Sequence, residues 1–331
     1  MVKRIALGLL AVLILGLAAL PARAGAILDR VKARGKVVCG VDQTPGFGGF
    51  DDHGTPVGFE VDLCRALAAA ILGNPGAIQV QRVTTKYKFL ALAEGELDVA
   101  FGMTTWTFER DTSQGASFPV VSFYDGQGFM KWADEPHPWA ATICVQSGTT
   151  SAANLTEYLA RRQSTAKVLA LSSSEEKFNA FAERRCSVVT GDSTELAAQR
   201  SRRTAMNNSW ELLDTIISRE PLGPAIANTD PEWFAVVRWS LLVPIIAESR
   251  GVGMKNLEAA PSTDGEIRRL KGEEPNFGAS LRLDPAWAKR IVASIGNYAE
   301  LYQRNLAPLG IARGQNALWT DGGLLYAPPL R

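Results

Sequence analysis

The 331-residue chain has two histidines, His53 and His137, and four cysteines with no C-x-x-C spacing among them. A structural zinc site draws on closely spaced Cys and His ligands, so no metal is expected. A Ser-His-Asp triad has little to build on, because both histidines sit beside turn residues. The patterns G-x-x-x-x-G-K-[ST], H-E-x-x-H and G-x-S-x-G are all missing. No catalytic residue and no cofactor is therefore expected, although 34 acidic residues leave carboxylate acid–base pairs open. Long runs of one charge are missing too, and the formal net charge is +1. Nucleic-acid binders carry a basic patch or stripe, so nucleic acid is not the expected partner.

Long apolar runs are absent except at the start. Residues 1–24, "MVKRIALGLLAVLILGLAALPARA", join Lys3 and Arg4 to an apolar run from Ile5 to Leu20, then Ala22-Arg23-Ala24. The run is short for a membrane span. The small-residue site fits a secretory signal cleaved after Ala24, which implies export. Removing its three basic residues leaves 32 basic against 34 acidic, a formal charge of −2. In an exported chain, the even set Cys39, Cys64, Cys144 and Cys186 suggests disulfides. Three pairings are possible, and spacing does not choose among them.

What is present is alternation. The chain predicts strands at 36–42, 77–83, 96–103 and 126–132. Between them, helices are expected over 59–72 ("FEVDLCRALAAAIL") and 86–95. In the first helix, Phe59, Leu63, Leu67 and Ile71 recur at four-residue steps, one buried stripe. "DEPHPW" (134–139) breaks the series. A second series follows, with strands at 141–146, 167–172 and 186–191, each leading into a helix. "EPLGPA" (220–225) breaks the pattern again, and the remainder is mostly helical. The expected fold is α/β with largely parallel strands: two α/β lobes, joined by two crossings near 133–139 and 219–224. The expected boundaries are 25–133 with 221–331 for the first lobe and 134–220 for the second. Open α/β sheets bind ligands at the carboxyl ends of their strands, so a cleft between the lobes is the expected site.

Three strand-to-helix turns face such a cleft. "MTTWTFER" carries Thr105 and Arg110, whose planar fork suits a carboxylate. "QSGTTS" carries Gly148, Thr149 and Thr150 at a helix start, where free N–H groups favour an anion. "TGDS" carries Asp192, an acceptor for an ammonium. Together they form a zwitterion clamp, with Phe47 of the Gly-rich loop as an apolar wall. Each residue has a plainer alternative. Arg110 could pair at the surface with Glu109 or Asp111. The Gly148–Thr150 turn could be only a helix cap, and Asp192 could cap the helix from Ser193. Trp106, Trp139 and Phe47 could be packing residues.

The segments "VVCGVD", "GFEVDLCRALAAAI", "GELDVAFGMTTWTFERDTS", "YDGQGFM", "CVQSGTT", "ISREPLGPA", "GNYAELYQRN" and "IARGQNALWTDGGLLYAPPLR" resemble periplasmic amino-acid-binding proteins of bacterial ABC transporters, in particular the general L-amino-acid binding subgroup of solute-binding protein family 3. The resemblance implies a type II periplasmic-binding fold that closes over an L-amino acid. It implies a monomer that hands its ligand to the membrane permease of an ABC importer. In that family, Arg110, Thr105, Thr149 and Thr150 would hold the ligand carboxylate and Asp192 its ammonium, with Phe47 flanking the ligand. It also implies disulfides Cys39–Cys64 and Cys144–Cys186, one in each lobe. One departure stands out. Gly102 and Met103 occupy positions where the family usually carries polar side chains, and backbone groups there are the expected substitute. The same fold also hosts periplasmic dehydratases and ligand-sensing modules, the two alternative functions.

Overall fold

The computed structural model describes residues 25–203 and 209–331. The signal segment expected at 1–24 lies outside them. The first lobe is built on three parallel strands in the order β2-β1-β3: β1 Val37–Val41, β2 Ile78–Arg82 and β3 Val99–Ala100. The helix Phe59–Leu72 lies on this sheet as its periodicity predicts, with Phe59, Leu63 and Leu67 buried. Its alanines at 66 and 68–70 are buried as well, and such small side chains let a neighbour approach closely. That neighbour is the C-terminal helix Trp287–Ile295, whose buried stripe Trp287, Ala288, Ile291, Val292 and Ile295 packs onto it. The C-terminal helices thus return to the first lobe. The helical run expected after 285 is interrupted. Gly296 ends one helix at φ 84°, and Asn297 starts the next, Tyr298–Asn305, through a capping box with Glu300. Arg304 and Asn305 of that second helix both bond Asp62 of helix Phe59–Leu72.

β3 is much shorter than the strand expected over 96–103. The chain leaves the sheet after Phe101 because Gly102 and Met103 are both left-handed, at φ 84° and 46°. Two short antiparallel ribbons follow: β4 Ala116–Ser117 with β12 Ile226–Ala227, and β5 Phe123–Asp125 with β11 Glu220–Leu222. In the second ribbon, Asp125 sits opposite Glu220. The two crossings lie side by side at the second ribbon, one leaving β5 and the other entering β11.

The second lobe is a five-stranded sheet in the order β10-β6-β9-β7-β8, formed by β6 Gln127–Trp132, β7 Thr142–Gln146, β8 Lys167–Leu171, β9 Val188–Asp192 and β10 Trp210–Leu213. This corrects the expected boundary at 133. Strand 127–132 belongs to the second lobe, antiparallel to β9 with Phe129 opposite Thr190 and Met130 opposite Val189. The first crossing is therefore at Asp125–Gln127, and the proline break at 134–139 is a loop inside the second lobe. There Trp139 packs edge-on against Phe129, at 5.0 Å between ring centres. Both faces of the sheet are covered. Met130, Cys144 and Val189 point into one core and Phe129, Ile143 and Val188 into the other, the period-two alternation of strands. β10 was not foreseen; its Trp210 meets Trp132 of β6 at a right angle.

Both disulfides form as the resemblance implies. Cys39 of β1 joins Cys64 of helix Phe59–Leu72, and Cys144 of β7 joins Cys186, two residues before β9. The second closes a segment with a sequence separation of 42. Replacing Cys144 and Cys186 by serine should lower the unfolding free energy by about 2–5 kcal/mol. Urea denaturation of the oxidised protein and the double variant measures this, and coincident midpoints would refute it.

Candidate functional site

The carboxyl ends of the two sheets face each other across a shared space. Arg110 reaches it from the helix Phe108–Ser113, which starts where Thr107 caps the Arg110 N–H. Arg110 is 7% exposed. It donates to the Thr105 carbonyl at 2.8 Å and lies over the Phe89 ring at 5.6 Å. Among the described residues it has no ion pair: neither Glu109 nor Asp111 reaches it, which excludes the surface-pair alternative. Burial lowers its pKa, with Glu220 and Asp192 opposing, yet a guanidinium stays charged in a protein. A buried cation without a partner is costly, and a ligand carboxylate would supply the missing charge.

Asp192 reaches the same space from the opposite lobe. It stands at the N-cap of helix Ser193–Arg202, yet its side chain makes no capping bond. Asp125 of the crossing ribbon does that work, accepting from the hydroxyls of Ser193 and Thr194 and from the Thr194 N–H at 3.3 Å. The capping alternative for Asp192 therefore fails. Its carboxyl is raised well above the usual range, first by burial, then by Asp125, Glu220 and Glu195. The other charges lining the space have partners or uses. Lys177 and Glu195 form a buried ion pair at 2.7 Å, and Lys88 is spent on neutral oxygens, described below. Asp42 accepts from the Gln43 N–H at 2.8 Å, and burial raises its carboxyl while Lys88 pulls it back.

Two threonines meet where the lobes touch. The Thr105 hydroxyl lies 3.3 Å from that of Thr150, which also approaches Glu220 at 3.4 Å. Thr149 is different. Its hydroxyl donates to the Gln146 carbonyl at 2.7 Å and accepts from the Ala152 N–H at 3.2 Å. That side chain is a helix cap, so a carboxylate contact from this turn falls to the Thr150 hydroxyl and to first-turn N–H groups, which lack intrahelical partners. Gly148 is required here: it sits at φ 73°, and a Cβ would come within 2.8 Å of Lys86.

Phe47 does not line the space. It is 1% exposed and packs edge-on against Phe59 and Phe123, at 6.2 and 5.1 Å. The Gly-rich loop folds back onto the start of helix Phe59–Leu72, where the Glu60 N–H donates to the Phe47 carbonyl at 2.8 Å. That pulls the ring into the core and away from the cleft. Trp106 stacks on Phe118 at 5.9 Å, a packing role.

The turn at 101–104 is held by two residues that sequence reasoning missed. Glu60 accepts from the N–H groups of Gly102 and Met103 at 2.9 and 2.8 Å. Lys88 donates to the carbonyls of Phe101 and Gly102, at 3.1 and 2.8 Å, and to the Thr104 hydroxyl at 2.7 Å. Burial, the largest influence, and nearby Arg110 bring its pKa down to about 8 against the pull of Asp42 and Glu60. The expected backbone substitution at Gly102-Met103 is thereby narrowed, because both N–H groups already have a partner inside the protein. The signal for Lys88 was its position: it lies three and four residues before the buried Ala91 and Leu92. Glu60→Ala should cost about 1–3 kcal/mol for each N–H left unpaired, read by urea unfolding. Wild-type stability in that variant would contradict the assignment.

The sequence profile of the bacterial extracellular solute-binding proteins, family 3, matches residues 37–272. The chain is 41% identical over 325 residues to the glutamate/glutamine/aspartate/asparagine-binding protein BztA of Rhodobacter capsulatus, covering 94% of this chain and 95% of that one. It is 40% identical to the general L-amino acid-binding periplasmic protein AapJ of Rhizobium johnstonii, covering 92% of each. Among solved structures, a periplasmic binding protein from Brucella ovis with glutathione bound superposes with a TM-score of 0.88 at 38% identity, over 92% of this chain and 99% of that one. The shared architecture is the two-lobed type II periplasmic-binding fold.

Proposed function

The chain belongs to the bacterial extracellular solute-binding proteins of family 3, and we propose that it captures L-amino acids in the periplasm by lobe closure and delivers them to the permease of an ABC importer. The observation that carries this reading is the pair Arg110 and Asp192. Arg110 is buried and Asp192 half-buried, both lack an ion-pair partner among the described residues, and they reach one space from opposite lobes. An α-amino acid presents the two complementary charges on one carbon. Its carboxylate would take the Arg110 fork, the hydroxyls of Thr105 and Thr150 and first-turn N–H groups of the helix from Thr150. Its ammonium would take Asp192. Only the closed arrangement offers both charges to one ligand, so binding shifts the equilibrium toward closure. The paired crossings at β5 and β11 are the hinge, and the lobe boundaries follow as 25–125 with 220–331 and 127–218. The closed, monomeric receptor is the form presented to the permease.

The ligand class extends to molecules carrying the same α-amino-acid head, as glutathione does. Binding without turnover is the inferred outcome, since Glu195, a carboxylate facing the space, is already held by Lys177 and Ser174. Mass spectrometry of ligand released from purified protein tests both points. The expected result is one or more L-amino acids, unaltered after incubation with the protein. Release of a molecule lacking an α-amino-acid head would overturn the reading.

A further inference from the structure

A second space, of about 1180 Å3 and open to solvent, lies at the mouth of the cleft beside the Gly-rich loop. It continues the clamp along the chain on both sides. In the first lobe, Asp42 and Thr44 line the clamp while Gln43, between them, lines the outer space. In the second lobe, Glu195 lines the clamp and Gln199, one helical turn further on, lines the outer space. Two carboxamides therefore border it from opposite lobes, and neither side chain has a partner among the described residues. Gln199 is 7% exposed, and its side chain makes no hydrogen bond among the described residues. The Gln43 side-chain oxygen is buried and unbonded. A buried amide oxygen without a partner is uncommon in a folded protein and calls for an explanation. Arg202 and Arg203 border the same space, and neither has an ion pair among the described residues; Glu175 is the acidic group beside them. Arg203 is steadied by Asn179, to which it donates at 2.9 Å.

We propose that this outer space is a second subsite, which takes the amide and terminal carboxylate of an amino acid extended through its side chain, the chemistry of a γ-glutamyl peptide. The proposal rests on the amino-acid clamp reading. Each carboxamide offers a carbonyl acceptor and an NH2 donor, the complement of a peptide N–H and C=O. The guanidinium groups suit the distal carboxylate. The clamp fixes the linkage. An α-linked dipeptide has turned its first carboxylate into an amide and no longer carries both charges on one carbon. A γ-linked dipeptide keeps them.

Titration calorimetry of the ligand-free full chain with L-glutamate, γ-glutamylglycine and α-glutamylglycine tests this. The expected result is binding of L-glutamate and γ-glutamylglycine, with α-glutamylglycine weaker than its γ-linked isomer by at least about a hundredfold. In the double variant Gln199→Ala, Arg202→Ala, γ-glutamylglycine should weaken by at least about tenfold while L-glutamate stays within about twofold. Binding of L-glutamate without γ-glutamylglycine overturns the subsite and leaves the clamp standing. Equal weakening of both ligands in the double variant also overturns it, as does binding of neither; the clamp itself falls only if no L-amino acid binds.

Discussion

Replacing Arg110 by alanine should remove most of the affinity for an amino acid, about 3–5 kcal/mol, the cost of breaking a buried ion pair on one side. That is a rise in Kd of roughly two to three and a half orders of magnitude. The loss should fall on binding and not on folding, because among the described residues Arg110 makes one side-chain hydrogen bond, to the Thr105 carbonyl. Arg110→Lys keeps the charge and loses the fork, so its affinity should lie between the two. Calorimetry reads the affinity and thermal unfolding of the ligand-free protein reads the fold. Unchanged affinity in Arg110→Ala would move the carboxylate site elsewhere.

Asp192→Asn should act in opposite directions on affinity and stability. Without the carboxylate, the ligand ammonium enters a buried site unpaired, and affinity should drop by roughly 2–5 kcal/mol. The ligand-free variant should melt at a higher temperature than the wild type. Burial and the charges of Asp125, Glu220 and Glu195 hold the Asp192 carboxyl well above its ordinary pKa, against a smaller opposing pull from Lys177. A carboxyl raised on folding contributes stability below its unfolded pKa and loses it as pH rises through the folded value. Near neutral pH the free protein therefore carries the cost of the ionised group, and asparagine relieves it. Affinity has the reverse pH dependence and should weaken as pH falls through the raised value, because a protonated Asp192 no longer pairs with an ammonium. A variant that melts at or below the wild-type temperature in the absence of ligand would contradict this account.

The residues differ in how legible they were in the sequence, and the difference is physical. The helix 59–72 was readable because a four-residue apolar recurrence has one structural meaning. Asp192 was readable because it ends a core strand, and Arg110 because it follows the hydroxyl-rich turn after one. Strand 127–132 was assigned to the wrong lobe because pairing across lobes is not local: its apolar residues fit either sheet, and only register with β9 decides. Phe47 was misread for a similar reason. An aromatic in a Gly-rich loop can face ligand or core, and the bond from Glu60 N–H to its carbonyl, which sends it inward, leaves no mark in the sequence. Thr149 and Thr150 are adjacent and identical in type, yet one caps the helix and the other faces the cleft. Glu60 and Lys88 went unseen because their partners are backbone groups, which every residue carries.

The site these pieces build is a buried positive group and a half-buried negative group, each without an ion-pair partner among the described residues. The most direct test is titration calorimetry of ligand-free protein against the proteinogenic L-amino acids, each paired with its decarboxylated amine and its deaminated acid. The account predicts that at least one L-amino acid binds and that both of its truncated partners fail, since each lacks one of the two charges. An amine or an acid that binds as tightly as its parent amino acid would contradict it.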